Sequence, residues 1–86
     1  GWRVNIHYFA WMREQIGKSV ETESPPAHID NIDDLLDWLT NLSPAHAEAL
    51  ADRTIIGVAV NKEFVEPGAK LEDGDEVALF PPITGG

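Results

Sequence analysis

The chain has 86 residues, room for one small domain and not two, and a domain of this size withdraws only about 60 to 65% of its unfolded surface from water. Hydrophobic residues make up 43% and charged residues 24%, the proportions of an ordinary globular domain, which excludes disordered and fibrous classes. Six basic residues against fifteen acidic ones leave a net charge of −9, which repels phosphate backbones and anionic lipid; it either steers the chain toward a basic protein surface or simply keeps it soluble.

Residues 3–9 (RVNIHYF) alternate so that Val4, Ile6 and Tyr8 share one face and Asn5, His7 and Phe9 the other, the period of a half-buried strand. Residues 10–16 (AWMREQI) suit a short helix with Gly17 available for a left-handed cap, and residues 18–23 (KSVETE) return as a weaker strand, expected at a sheet edge. After a loop through Pro25-Pro26, Ile32, Leu35, Leu36, Leu39 and Leu42 recur at helical spacing behind Asn31 or Asp30 as N-cap, which marks the main amphipathic helix. Asp33, Asp34 and Asp37 lie off that stripe near the positive helix end, where carboxylates stabilise by about 0.3 to 1 kcal/mol each. Ser43-Pro44 starts a second short helix over residues 45–51. Residues 55–61 (IIGVAVN) read as a strand, Asn61-Lys62 as a turn, Phe64-Val65 as a short return and Pro67-Gly68 as another turn. Asp73-Gly74-Asp75 then introduces the last strand, residues 76–80 (EVALF), in which Val77 and Leu79 alternate with Ala78 and Phe80. The order β-β-α-β-β around one dominant helix predicts an α+β fold with a mixed sheet and the helix packed across one face. Residues 1–80 form the expected domain and 81–86 an extended tail.

Chemistry inside this domain is sparse. Without cysteine there is no thiol nucleophile and no disulfide, so any sulfur chemistry must happen elsewhere. His7, His28 and His46 lack second ligands at metal-binding spacing, and no metal site is expected. Asp33/Asp34 and Asp73/Asp75 sit at a helix start and a turn, where Asp is placed for local reasons. No stretch approaches a membrane span, and a cytoplasmic protein without nucleic-acid or membrane partners is expected. What stands out is the ending PPITGG. Pro81 and Pro82 hold the chain extended and remove two backbone donors, so residues 81–86 cannot extend the sheet or coil into a helix. Ile83 and Thr84 lead to Gly85-Gly86, a terminal carboxylate with no side chain beside it that a narrow channel in another protein can admit.

The stretch from Ala59 to Gly86 (AVNKEFVEPGAKLEDGDEVALFPPITGG) resembles the C-terminal half of the small subunits of molybdopterin synthase, and its FPP-x-x-GG ending is the specific part. Residues 4–17, with the Phe9-Ala10 step and Arg13-Glu14 before the glycine, are similar to the same family, whereas residues 24–52 match only in pattern. The resemblance implies a ubiquitin-like β-grasp fold. It implies that a ubiquitin-activating-like enzyme adenylates Gly86 with ATP and magnesium, that a sulfur donor protein then supplies the sulfur of a thiocarboxylate, and that no cofactor is bound permanently. The large subunit of molybdopterin synthase would supply the catalytic residues, receive the tail and pass sulfur to cyclic pyranopterin monophosphate, in a heterotetramer. The resemblance also places partner contacts at Phe9, Phe64 and Phe80, with Arg13 as a polar neighbour. The residues themselves allow one exposed aromatic patch, because Phe9 is out of phase with the buried face, Phe64 follows a turn and Phe80 precedes the tail. Two other readings remain open at this point: a thiamine-pathway carrier or ubiquitin-like modifier that shares Gly86 activation, and a noncatalytic β-grasp interaction module.

Overall fold

A computed structural model describes residues 2–82. Its strands are β1 (Val4–Tyr8), β2 (Val20–Glu23), β3 (Gly57–Val60), β4 (Glu63–Phe64) and β5 (Glu76–Phe80), and its helices α1 (Ala10–Ile16), α2 (Ile32–Thr40) and α3 (Pro44–Ala49). The five strands form one sheet in the order β2-β1-β5-β3-β4. β1 and β5 run parallel at its centre and the other pairs are antiparallel, so the sheet is mixed as the sequence order implied. The short return at Phe64 counts as a strand of its own, which turns the expected four strands into five. Alternation does the rest: Val4, Ile6 and Tyr8 from β1 and Val77 and Leu79 from β5 are almost fully buried, beneath Ile32, Leu35, Leu36 and Leu39 of α2, Met12 of α1 and Ala49 of α3. Among the described residues, all helices therefore lie on one face, and the opposite face of the sheet is open.

Local chemistry fixes the element boundaries. Asn31, not Asp30, caps α2, its side chain accepting from the Asp34 amide at 2.9 Å. That helix ends at Thr40, whose hydroxyl donates back to the Leu36 carbonyl, so Leu42 falls outside the apolar stripe and is exposed. Ser43 caps α3 through the His46 amide, and Pro44 begins it as expected, but the helix stops at Ala49 rather than running to residue 51. The strand expected from Ile55 starts two residues later. Asp52 accepts from the Thr54 amide at 3.0 Å and folds Arg53–Ile55 into a 3-10 turn, leaving Ile55 exposed. Asn61 and Lys62 both adopt positive φ, 51° and 72°, the geometry of a two-residue hairpin turn between β3 and β4. The Asn61 side chain ties that turn to β5 by donating to Asp75 at 3.0 Å and accepting from the Glu76 amide at 3.1 Å.

Candidate functional site

The registers of β1, β5, β3 and β4 set out the open face row by row. Thr22, Asn5 and Glu76 lie level with one another; one pleat further on come Val20, His7, Ala78, Ala59 and Phe64; and at the end of β5 Phe80 stands opposite Gly57. Phe9 continues β1 beside Phe80, its amide donating to the Leu79 carbonyl at 3.1 Å. All three phenylalanines are thus on the face that no helix covers. Phe64 is 72% exposed and Phe9 47%, so neither belongs to the core. The Phe64 and Phe80 rings pack with centroids 5.6 Å apart, whereas Phe9 lies on the far side of Ala78. The patch is consequently two paired rings and a third across a shallow floor, rather than one continuous cluster.

No local pattern in the sequence marks that floor. A Cβ built on Gly57 would come within 2.4 Å of the Phe80 ring, so the absent side chain is what lets Phe80 lie flat across β3 toward Phe64. Ala59 and Ala78 continue the small-residue strip between the aromatics. On one side of it Gly57, Val58, Phe64, Val65, Phe80 and Pro82 line an apolar cavity of about 270 Å³ at the root of the tail. On the other, His7, Phe9, Lys62, Glu76 and Ala78 line one of about 230 Å³. Arg13 is exposed on α1, four residues after Phe9, and is not drawn into a cation–π pair with these rings. Of the expected tail, Pro81 is half-buried and Pro82 exposed directly after β5; Ile83, Thr84, Gly85 and Gly86, including the expected reactive carboxylate, lie outside the described residues.

Polar groups cross the same face in a line. Thr22 Oγ1 donates to Asn5 Oδ1 at 2.6 Å, Asn5 Nδ2 donates to Glu76 Oε2, and His7 Nε2 lies 2.6 Å from Glu76 Oε1. The bonds from Asn5 and His7 hold the Glu76 carboxyl below the usual carboxylate range. A second polar cluster lies inside the fold. Tyr8 Oη donates to Glu21 Oε2 at 2.7 Å, His46 Nε2 meets the same oxygen at 2.9 Å, and Ser43 Oγ lies 2.7 Å from His46 Nδ1. With side-chain exposures of 5% for Glu21 and 8% for His46, this cluster is closed to a substrate and serves the fold. Among the described residues, no three His, Asp or Glu side chains converge as a metal site.

Comparison with known proteins bears on the family and the fold. The sequence pattern of the ThiS family matches residues 6–86. The molybdopterin synthase sulfur carrier subunit of Escherichia coli is 35% identical over 83 residues, covering 96% of this chain and 99% of that protein. The crystal structure of small archaeal modifier protein 1 from Haloferax volcanii is 30% identical, covers 96% of this chain and all of that one, and superposes with a TM-score of 0.74. Subunit 1 in a complex of subunits 1 and 2 of molybdopterin-converting factor from Helicobacter pylori has the same fold, with a TM-score of 0.67, 20% identity and coverage of 98% and 99%.

Proposed function

We propose, from the premise that the chain belongs to the ThiS family of ubiquitin-like sulfur carriers, that it is the sulfur-carrying small subunit of a molybdopterin synthase. The observation that carries this is full-length identity of 35% to a curated carrier subunit of that enzyme, on a fold whose one open aromatic face ends where the tail begins. In this reading a ubiquitin-activating-like enzyme uses ATP and magnesium to convert the Gly86 carboxylate to an acyl-adenylate. Sulfide-level sulfur released by a donor protein then attacks the acyl carbon, AMP leaves, and a thiocarboxylate remains, a better nucleophile than the carboxylate it replaces. In the cytoplasm the carrier docks on the large subunit through Phe9, Phe64 and Phe80, with Arg13 at the rim. Pro81 to Gly85 pass the terminus into that subunit's active site, where the thiocarboxylate sulfur bonds to a carbon of cyclic pyranopterin monophosphate and water cleaves the resulting thioester, leaving the sulfur on the pterin and the Gly86 carboxylate restored. The large subunit contributes the groups that act on the pterin, and this chain contributes the sulfur atom and its delivery.

Intact-protein mass spectrometry after incubation with an adenylating enzyme of the pathway, ATP and a sulfide source tests the carrier chemistry. A mass gain equal to sulfur replacing one oxygen, located on Gly86 and lost when Gly86 is deleted, is the expected result. No gain with an enzyme that thiolates another carrier under the same conditions refutes it. The likeness to small archaeal modifier protein 1 favours a second reading, in which activated Gly86 is joined to lysines of other proteins. Gly86-linked lysine conjugates together with no sulfur transfer to the pterin would select that reading over the first.

A further inference from the structure

The open face carries an imidazole–carboxylate pair in the midst of its aromatic residues. His7 occupies the row between Val20 and Ala78, and its Nε2 is 2.6 Å from Glu76 Oε1, one residue pair along the sheet. The pair borders the cavity walled by Phe9 and floored by Ala78, with Lys62 reaching in from the hairpin turn. The side chains of His7 and Glu76 are 37% and 46% exposed, so water solvates both while the face is free.

We propose, resting on the reading that this face docks the large subunit, that the His7–Glu76 pair belongs to the contact and couples docking to uptake of a proton by His7. A partner that covers Phe9 on one side and Phe64 and Phe80 on the other must close over Ala78 and the pair beside it. Withdrawing a carboxylate from water is costly unless charge and hydrogen bonds replace the lost solvation. Asn5 gives Glu76 one neutral donor, and His7 gives it a second that becomes a cation only on protonation. Imidazole is the side chain whose charge changes near neutral pH, so closing the face over Glu76 favours the protonated form. Among the described residues, the other charged group lining the cavity with the pair is Lys62; β2 presents Val20 and Thr22, β3 presents Ala59 and β4 presents Phe64, all uncharged. Because Lys62 shares the task, uptake is a fraction of a proton. Association that takes up protons tightens as pH falls.

Titration calorimetry of the full chain into the molybdopterin synthase large subunit, in two buffers of different ionisation enthalpy, measures this directly. The expected result is net proton uptake and an affinity that rises roughly three- to tenfold from about pH 8 to about pH 6. His7→Gln, which keeps a neutral donor toward Glu76, is expected to bind without either effect. A wild-type affinity that is flat with pH, or an uptake that persists undiminished in His7→Gln, overturns the proposal. An affinity unchanged by Phe64→Ala would instead remove the docking face, and this inference with it, while leaving the carrier chemistry of Gly86 untouched.

Discussion

Replacing Glu21 by Gln removes a buried charge and keeps the shape of the side chain, and its consequence depends on pH in a calculable way. Glu21 lies on the inward face of β2 opposite Ile6, and its carboxyl is held down to about 2 from an ordinary 4.5. Burial opposes this, but hydrogen bonds from His46, Tyr8 and Lys18 outweigh it. Burial and the Glu21 carboxylate together push the Tyr8 phenol well above its usual range, so Tyr8 remains a donor. Ser43 Oγ accepts from the His46 amide and lies 2.7 Å from Nδ1, which holds the ring with Nε2 turned toward Glu21. A carboxyl whose folded pKa is depressed contributes stability above its unfolded pKa and loses it as pH falls toward the folded one. The full effect is about 3 kcal/mol at neutral pH, of which about 1 kcal/mol survives at pH 3. Urea unfolding followed by tryptophan fluorescence is expected to show Glu21→Gln less stable than wild type by about 2 to 3 kcal/mol at pH 7, the gap narrowing by about 2 kcal/mol at pH 3. A gap that stays constant across this range would refute the assignment of Glu21 as an ionised, internally solvated group.

Gly57→Ala places a methyl group within 2.4 Å of the Phe80 ring. Because that ring can swing outward, the fold should lose about 1 kcal/mol by urea unfolding, while affinity for the large subunit falls as Phe80 leaves Phe64. Phe64→Ala should leave unfolding within about 0.5 kcal/mol of wild type, since the ring is 72% exposed, yet weaken docking roughly thirtyfold or more. Asn31→Ala removes the cap of α2 and should cost about 1 kcal/mol by the same unfolding assay, with docking unchanged.

Much of the fold is legible in the sequence because its signals are short-range. The two-residue period in residues 4–8 and 76–80 and the Asn31 cap ahead of a helical stripe each act within one element. What escaped detection depends on partners distant along the chain. Glu21 reads as a surface acid on an edge strand, and its burial is made tolerable by Tyr8 and by His46, 13 and 25 residues away, together with Lys18. Gly57 reads as a weak point in a strand until Phe80 is seen lying across it. Ile55 has strand propensity, but the Asp52 side chain diverts the backbone into a 3-10 turn first. At the candidate site the exposure of Phe9 and Phe64 followed from phase and turn position, whereas the His7–Glu76 pair needed the β1–β5 register, which no local pattern specifies.

That register also bears on how a carrier with so little chemistry of its own can deliver sulfur accurately. β5 is the middle strand, bonded to β1 on one side and β3 on the other, so the root of the tail at Phe80 is held by both neighbours. The outer surface of the same strand end, with Phe9 and Phe64 beside it, is the proposed grip. A partner that seats on these rings therefore fixes where residue 81 starts, and the six residues from 81 to 86 can reach at most about 20 Å beyond it. Deleting one tail residue, Thr84, leaves every docking contact in place and shortens that reach by about 3.3 Å. A misplacement of even about 1 Å can cost a hundredfold in rate, so sulfur transfer to the pterin in single-turnover assays with the pre-formed thiocarboxylate should fall at least that far, with the large-subunit affinity unchanged. Transfer at the wild-type rate would mean that the aromatic face does not set the position of the terminus, and that the active site captures the tail independently of docking.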